Sequence, residues 1–248
     1  MHRILCFLNL AILENFLKFK NAINYDKFAN AQKFCAEILI NELLIHKKDF
    51  NQIYEIGCGS GLLTNLIKSN LNYQNLILND IYGSSIMKTQ SGEMAQIGDI
   101  MSLKMPRDLN LVISSSVFQW IDDLDLLCQK IHSSLGNGGI CAFATFMHGT
   151  LNELSEFTNQ SLNYKTNEQI CEIFGKNFKI LSSKNGEFID KFANLKELLN
   201  SLKQTGVNNI KGNFKLTKSS LNALNSHFLN TYGEFRLSYK FAILICRK

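Results

Sequence analysis

The chain has 248 residues, 46% of them hydrophobic, enough to bury a full core within one domain. Its 26 Lys and Arg against 21 Asp and Glu give a net charge of +5 without a basic block, so no nucleic-acid partner is implied. Seven cysteines, at positions 6, 35, 58, 128, 141, 171 and 246, form no C-x-x-C pair. That scatter fits reduced thiols in a cytoplasmic protein, not a disulfide framework or a zinc site.

Residues Ile4 to Leu13 are mostly apolar, but Asn9 interrupts them and no small-x-small cleavage site follows. The run is too short to span a membrane, and no other stretch offers about 20 uninterrupted apolar residues. Residues 1–15 are therefore expected to be an extension, and no membrane association is expected. From Phe28 to Leu44, apolar residues at Phe34, Ile38, Leu39, Leu43 and Leu44 repeat at helical spacing. A first strand is expected over Gln52–Ile56. The turn Gly57-Cys58-Gly59-Ser60-Gly61 follows, and then a helix over Leu62–Lys68.

That turn carries the first chemical signal. Three alternate glycines allow dihedrals and close approaches that a Cβ would block. Glu55, two places before the first glycine, would repel a phosphate and suits a ligand that carries a cation. A dinucleotide fingerprint wants G-x-G-x-x-G, whereas the spacing here is G-x-G-x-G. An ordinary strand–helix turn is the plainer alternative. The run Glu55-Ile56-Gly57-Cys58-Gly59-Ser60-Gly61 resembles the E-x-G-x-G-x-G loop of class I S-adenosylmethionine-dependent methyltransferases. The resemblance implies that Glu55, Gly57, Cys58, Gly59 and Gly61 lie against the cofactor's amino-acid end.

Further along, Asn75–Leu78 reads as a second strand ending in Asn79-Asp80, and Met94–Ile97 as a third ending in Gly98-Asp99-Ile100. Leu109–Ser114 is a fourth strand, Asp123–Leu135 a helix, Gly136-Asn137-Gly138-Gly139 a turn, and Ile140–Phe146 a fifth strand. From Gly149 to Leu216 the pattern turns more helical and polar, and Arg236–Cys246 is again strand-like. Alternation of this kind implies parallel βαβ units. The expected fold class is α/β: a Rossmann-like class I methyltransferase sheet, mostly parallel with helices on both faces, plus a helical cover inserted after strand five. The domain reading is one domain over 1–248. It comprises the extension 1–15, N-terminal helices 16–48, a cofactor-binding core 49–147, a substrate cover 148–215, and a C-terminal helix and strands 216–248.

Ligands of such sheets bind beyond the carboxyl ends of the strands. Asp80 there can accept from both ribose hydroxyls, and Asp99 from an adenine amino group, with Ile81 and Ile100 as apolar faces for the ring. Both aspartates have a plain alternative as caps after a strand. Ser114 and Ser115, at the end of strand four, complete the cofactor candidates from the core.

A second resemblance narrows the family. Leu111-Val112-Ile113-Ser114-Ser115-Ser116-Val117-Phe118-Gln119-Trp120, then Asp123-Leu124, Gly138-Gly139 and Phe143-Ala144-Thr145-Phe146, resembles the L-V-I-S…Q-W…D-L…G-G…F-x-T-F series of the malonyl-acyl-carrier-protein O-methyltransferase family. Phe19 to Asp26 with Ala31-Gln32 resembles that family's N-terminal element. Leu198 to Asn208 resembles its L-L-x-x-L-K-x-T-G element, and Leu237-Ser238-Tyr239 its L-T-Y, with serine for threonine. The resemblance covers residue 16 to the end. It implies methyl transfer from S-adenosyl-L-methionine to the free carboxyl of a malonyl group on acyl carrier protein. The products would be S-adenosyl-L-homocysteine and the malonyl methyl ester that enters biotin synthesis.

A malonyl carboxylate is already ionised near neutral pH, so no general base is required. Alignment and desolvation would carry the reaction. The five histidines show no metal-ligand spacing, and no metal is expected. Substrate-orienting candidates are Tyr25, Trp120, His148 and Arg236, the last as the cation for the free carboxylate. Tyr25 is also a cofactor candidate, as is Gln32. Each has a plain reading as a packing or solvated residue. Lysines 165, 176, 179, 184, 191, 196 and 203 could meet an acidic carrier protein. The expected protein is a cytoplasmic monomer that binds neither nucleic acid nor membrane. Two alternatives stay open: a methyltransferase for a free short acid, and a methyltransferase fold that only binds.

Overall fold

The computed structural model describes residues 25–83, 92–159, 161–205 and 217–248. The extension 1–15, the Phe19–Asn24 part of the N-terminal element and Gly206–Asn208 lie outside the described residues. Helices α1 (Tyr25–Phe28) and α2 (Asn30–His46) lead into β1 (Asp49–Ile56), α3 (Leu62–Asn70), β2 (Asn72–Asp80), β3 (Met94–Ile97) and β4 (Leu109–Ser115). A 3-10 turn at Phe118–Trp120, α4 (Leu124–Ser134) and β5 (Leu135–Phe146) follow. The chain then forms α5 (Asn152–Thr158), α6 (Asn167–Gly175), β6 (Lys179–Phe192), α7 (Leu195–Gln204), α8 (Lys218–Tyr232) and β7 (Phe235–Arg247).

The contacts group the chain into two compact units. The larger spans Ala31–Thr150, Asn163–Phe188 and Ser238–Lys248. It is built on a seven-stranded sheet of order β3-β2-β1-β4-β5-β7-β6. Strands β1 to β5 pair in parallel, and β7 runs antiparallel to β5 with Cys141 opposite Cys246. The order reverses between β1 and β4, the switch point at which ligands of open α/β sheets bind.

Alternation along the strands divides the core into two faces. Tyr54 and Ile56 of β1, Val112 of β4, Phe143 of β5 and Leu244 of β7 lie in one cluster with Leu127 and Ile131 of α4 and Phe174 of α6. Phe143 is fully buried, its ring centroid 4.7 Å from that of Phe118 and 4.5 Å from that of Phe174. The opposite face meets α2 and α3: Phe34 lies 5.7 Å from Phe241, and Thr64 hydrogen-bonds Glu55. Helices thus cover both faces, as the alternating pattern implies. Local caps set the helix starts: Asp123 accepts from the Leu126 amide, and Thr166 with Gln169 forms a reciprocal capping box.

Two elements differ from the sequence reading for clear reasons. The expected turn at Gly136–Gly139 lies within β5, as an irregularity where Leu109 pairs with Leu135 and Leu111 with Ile140. The segment 149–216 holds helices as expected, but it also holds the 14-residue strand β6. Lys-Asn-Gly in its middle reads as a turn, and few of its side chains are buried. Gly186 has another role there: a Cβ would come within 2.8 Å of the Phe241 ring, so the glycine lets the strand lie against that ring.

Among the described residues, the smaller unit draws on 25–30, 151–159, 161–162, 189–205 and 217–237. Leu198, Leu224 and Phe228 are among its buried apolar positions, and Asn30 donates to both carboxylate oxygens of Asp190 at 3.2 and 3.3 Å. Burial raises the Asp190 pKa, opposed by that hydrogen bond.

Phe143→Ala removes the ring at the centre of the larger unit's aromatic cluster. Denaturant unfolding should show a loss of about 3–5 kcal/mol, with the slope against denaturant unchanged.

Candidate active site

The site begins where β1 leaves the sheet. Gly57, Gly59 and Gly61 have φ of 71°, 52° and 93°, all left-handed, so each alternate glycine is required by its backbone. The Gly57 and Cys58 amides both donate to the Asn79 carbonyl at 2.9 Å, and Gly61 caps the start of α3. A Cβ on Gly57 would collide with the Val117 side chain, which lies against the turn. Cys58 is buried inside the turn and forms no disulfide.

Glu55 is fully buried. Its Oε2 accepts from the Thr64 hydroxyl at 2.7 Å, while its Oε1 is buried without a hydrogen-bond partner. Burial pushes its pKa from an ordinary 4.5 up to about 8; the Thr64 hydrogen bond opposes this, nearby Asp80 adds to it, and Lys68 opposes it. An orphaned, buried carboxyl oxygen beside a glycine turn fits a ligand that brings a cationic donor.

Asp80 closes β2 and has two backbone donors. Oδ2 accepts from the Gly59 amide and Oδ1 from the Tyr82 amide, both at 2.9 Å. Asp99 lies two residues beyond β3, exposed, with Oδ1 accepting from the Met101 amide at 2.9 Å. A buried amide that the sequence reading passed over sets its place. Asn79 donates to the carbonyls of Gln96 and Gly98 at 2.9 and 3.0 Å, and Gln96 in turn accepts from the Tyr54 hydroxyl. Thr64 and Asn79 carried no motif signal. Only their position opposite Glu55 and the β3 loop gives them a role.

The end of β4 forms the other wall. The Ser114 hydroxyl donates to the Ile56 carbonyl at 2.8 Å, so it ties β4 to β1. The hydroxyl oxygens of Ser60, Ser115 and Ser116 are buried without partners. Ser116 is left-handed at φ 59°, and its amide donates to the Ala144 carbonyl at 2.9 Å. Gln119 donates to the Ser116 carbonyl at 2.7 Å and accepts from the Thr145 hydroxyl at 3.0 Å. Trp120, half-buried, ends the 3-10 turn that follows.

Among the other candidates, Ile100 is 5% exposed and packs in the core cluster, while Ile81 is half-buried. Gln32 is a buried amide on the first turn of α2. His148 is exposed beyond β5, its amide donating to the Lys165 carbonyl at 3.0 Å. The larger unit therefore brings together Glu55, the glycine turn, Asp80, Asp99 and the β4 serines. Tyr25 and Arg236 belong to the smaller unit. There Arg236 faces buried Glu153, Nε to Oε1 3.4 Å, and lies over the Tyr232 ring at 4.9 Å. Among the described residues, no cluster could hold a metal ion and no helix is long and apolar enough to cross a membrane.

A family described as a methyltransferase domain matches residues 54–143, the stretch that runs from β1 through β5. Solved structures share the fold. A methyltransferase of Bacillus halodurans matches 85% of this chain and 98% of its own, with 8% identity and a TM-score of 0.63. The N-methyltransferase NodS of Bradyrhizobium japonicum, in complex with S-adenosyl-L-homocysteine, matches 86% of this chain and 85% of its own, with 11% identity and a TM-score of 0.53. Fold and turn together define a class I methyltransferase. Sequence relatives are more specific. The malonyl-acyl-carrier-protein O-methyltransferase of Calditerrivibrio nitroreducens is 32% identical over 86% of this chain and 84% of its own. That of Ilyobacter polytropus is 30% identical over 87% of this chain and 85% of its own. The chain belongs to the malonyl-acyl-carrier-protein O-methyltransferase family.

The raised Glu55 pKa has a measurable sign. The folded protein keeps this proton up to about pH 8, whereas the unfolded chain releases it near its ordinary 4.5. The folded state thus binds more protons between those values, and stability falls as pH rises through the window. Melting temperatures of unliganded protein should fall across it. Glu55→Gln should flatten that decline, and equal declines in parent and variant would exclude Glu55 as its source.

Proposed function

We propose that the protein transfers a methyl group from S-adenosyl-L-methionine to the free carboxyl of malonyl-acyl carrier protein, releasing S-adenosyl-L-homocysteine. The observation that carries the substrate is the 32% identity, over most of both chains, to a relative of that name. Support for the cofactor comes from the orphaned Glu55 oxygen beside three left-handed glycines.

When bound, the cofactor supplies a methyl group activated by a sulfonium. The residues hold it in parts. Glu55 Oε1 accepts from the ammonium and becomes ionised by doing so. Asp80, already fixed by the Gly59 and Tyr82 amides, would accept from the ribose hydroxyls. Asp99 keeps Oδ2 for the adenine amino group while Oδ1 caps its own turn. The glycine turn leaves no Cβ between its backbone and the amino-acid end.

Bound S-adenosylmethionine would supply the methyl group: its S–C bond would break as an O–C bond formed to the carboxylate, leaving a neutral sulfide and a neutral ester. No proton is abstracted, so the larger unit needs no general base in reach of the acceptor. Its work is to align the two groups and exclude water. Of the residues expected to orient the acceptor, Trp120 and His148 belong to the larger unit and Tyr25 and Arg236 to the smaller. Within the smaller unit Glu153 fixes the Arg236 guanidinium, the cation proposed for the free carboxylate. The lysine-rich segment 148–215 is assigned to the cover and to an acidic carrier protein.

With methyl-labelled S-adenosylmethionine, label should appear on malonyl-acyl carrier protein as a base-labile ester, and less on malonyl-coenzyme A or free malonate. Label on free malonate at equal efficiency would favour a small-acid enzyme. Tight cofactor binding with no label on any malonyl species would sink the assignment.

A further inference from the structure

Gln119 stands one residue before the single tryptophan, and nothing above gives its side chain a task in the reaction. Its amide is spent fully inside the larger unit. Oε1 accepts from Thr145 on β5 at 3.0 Å, and Nε2 donates to the carbonyl of Ser116 at 2.7 Å. Thr145 is itself buried. Ser116 is held in a left-handed conformation that a non-glycine residue adopts only when its surroundings impose it. Two restraints impose it: the Ser116 amide on Ala144 and the Gln119 amide on the Ser116 carbonyl.

The consequence reaches the glycine turn in one step. Val117 follows Ser116 directly, and its side chain fills the space over Gly57 that a Cβ would need. The buried, unpartnered hydroxyls of Ser115 and Ser116 belong to the same segment. Releasing the Ser116 carbonyl would let the segment leave its left-handed turn, withdraw Val117 from Gly57 and loosen the turn beside Glu55.

We infer that Gln119 is a positioning residue for cofactor binding: its amide, anchored by Thr145, holds the Ser115–Val117 segment against the glycine turn. This rests on reading the carboxyl edge of the sheet as the S-adenosylmethionine site.

The test is calorimetric binding of S-adenosyl-L-homocysteine, which needs no methyl acceptor. Gln119→Leu should weaken binding about tenfold, the effect of one lost buried hydrogen bond. Gln119→Glu gives a signature that a general packing role would not. Its carboxyl can accept from Thr145 in either state, but it donates to the Ser116 carbonyl only when protonated. Neither partner of Gln119 ionises, so the pH dependence would belong to the new carboxyl. Relative to the parent at the same pH, Gln119→Glu should bind weakly near pH 8 and recover as pH falls. Thr145→Val should weaken binding in the same direction, and Thr145→Ser should restore it. These two serve also if a Gln119 variant fails to fold. Parent-like binding by Gln119→Leu and Thr145→Val, or a Gln119→Glu defect independent of pH, would overturn the inference alone. A parent that binds no S-adenosyl-L-homocysteine would overturn the functional reading with it.

Discussion

The Asp80 carboxylate ties the turn after β1 to the end of β2, just beyond the last rung of their parallel pairing. Its Oδ2 holds the Gly59 amide in the turn after β1, and its Oδ1 holds the Tyr82 amide after β2. A turn made of left-handed glycines has little conformational preference of its own, because glycine gives up more freedom on folding than any other residue. It needs outside partners to be a single structure. Asn79 supplies them from the backbone side by accepting the Gly57 and Cys58 amides on its carbonyl, and Asp80 from the side-chain side. The rest of the carboxyl edge is organised around that fixed turn: Ser114 ties β4 to the last carbonyl of β1, and Val117 rests over Gly57.

A cost is stored at the centre of this arrangement. Glu55 lies in a fully buried strand position with one oxygen unpartnered, where an apolar residue would be the more stable choice. Local rules of folding are broken most visibly where a ligand is to be met. A cationic donor removes the penalty, so the same group that weakens the unliganded fold strengthens the liganded one. The thiols nearby show the contrast. Burial raises the pKa of Cys128 to about 11 and pushes the Cys141 and Cys246 thiols up as well, which leaves them protonated packing residues.

The chemistry that the family implies suits a site of this construction. Transfer to an ionised carboxylate requires alignment and dryness more than proton traffic. The carboxyl edge is accordingly made of backbone restraints, capped carboxylates and clamped loops. Two of the histidines lie in packed surroundings of their own: His132 at the end of α4 against Phe178, and His227 within the smaller unit against Glu153 and Phe157.

Much of this was legible in the chain of letters. Glu55, the alternate glycines and the strand-end aspartates could be read because each depends on local spacing: a strand, a turn and a residue type in order. Alternation of strands and helices likewise announces a parallel sheet. Strand β6 was not legible, since its exposed, polar residues and its Asn-Gly look like a turn, and only pairing beside β7 makes it a strand. The partners Thr64 and Asn79 were silent for a related reason. Each meets its target across the fold, and no local pattern encodes a contact between elements. The sequence by itself determined the class of fold and placed Glu55, the alternate glycines and the aspartates at the strand ends. Only the tertiary structure decided which oxygen of Glu55 is left unpartnered and how the β4 segment is held, because both depend on distances between strands that sequence spacing does not contain.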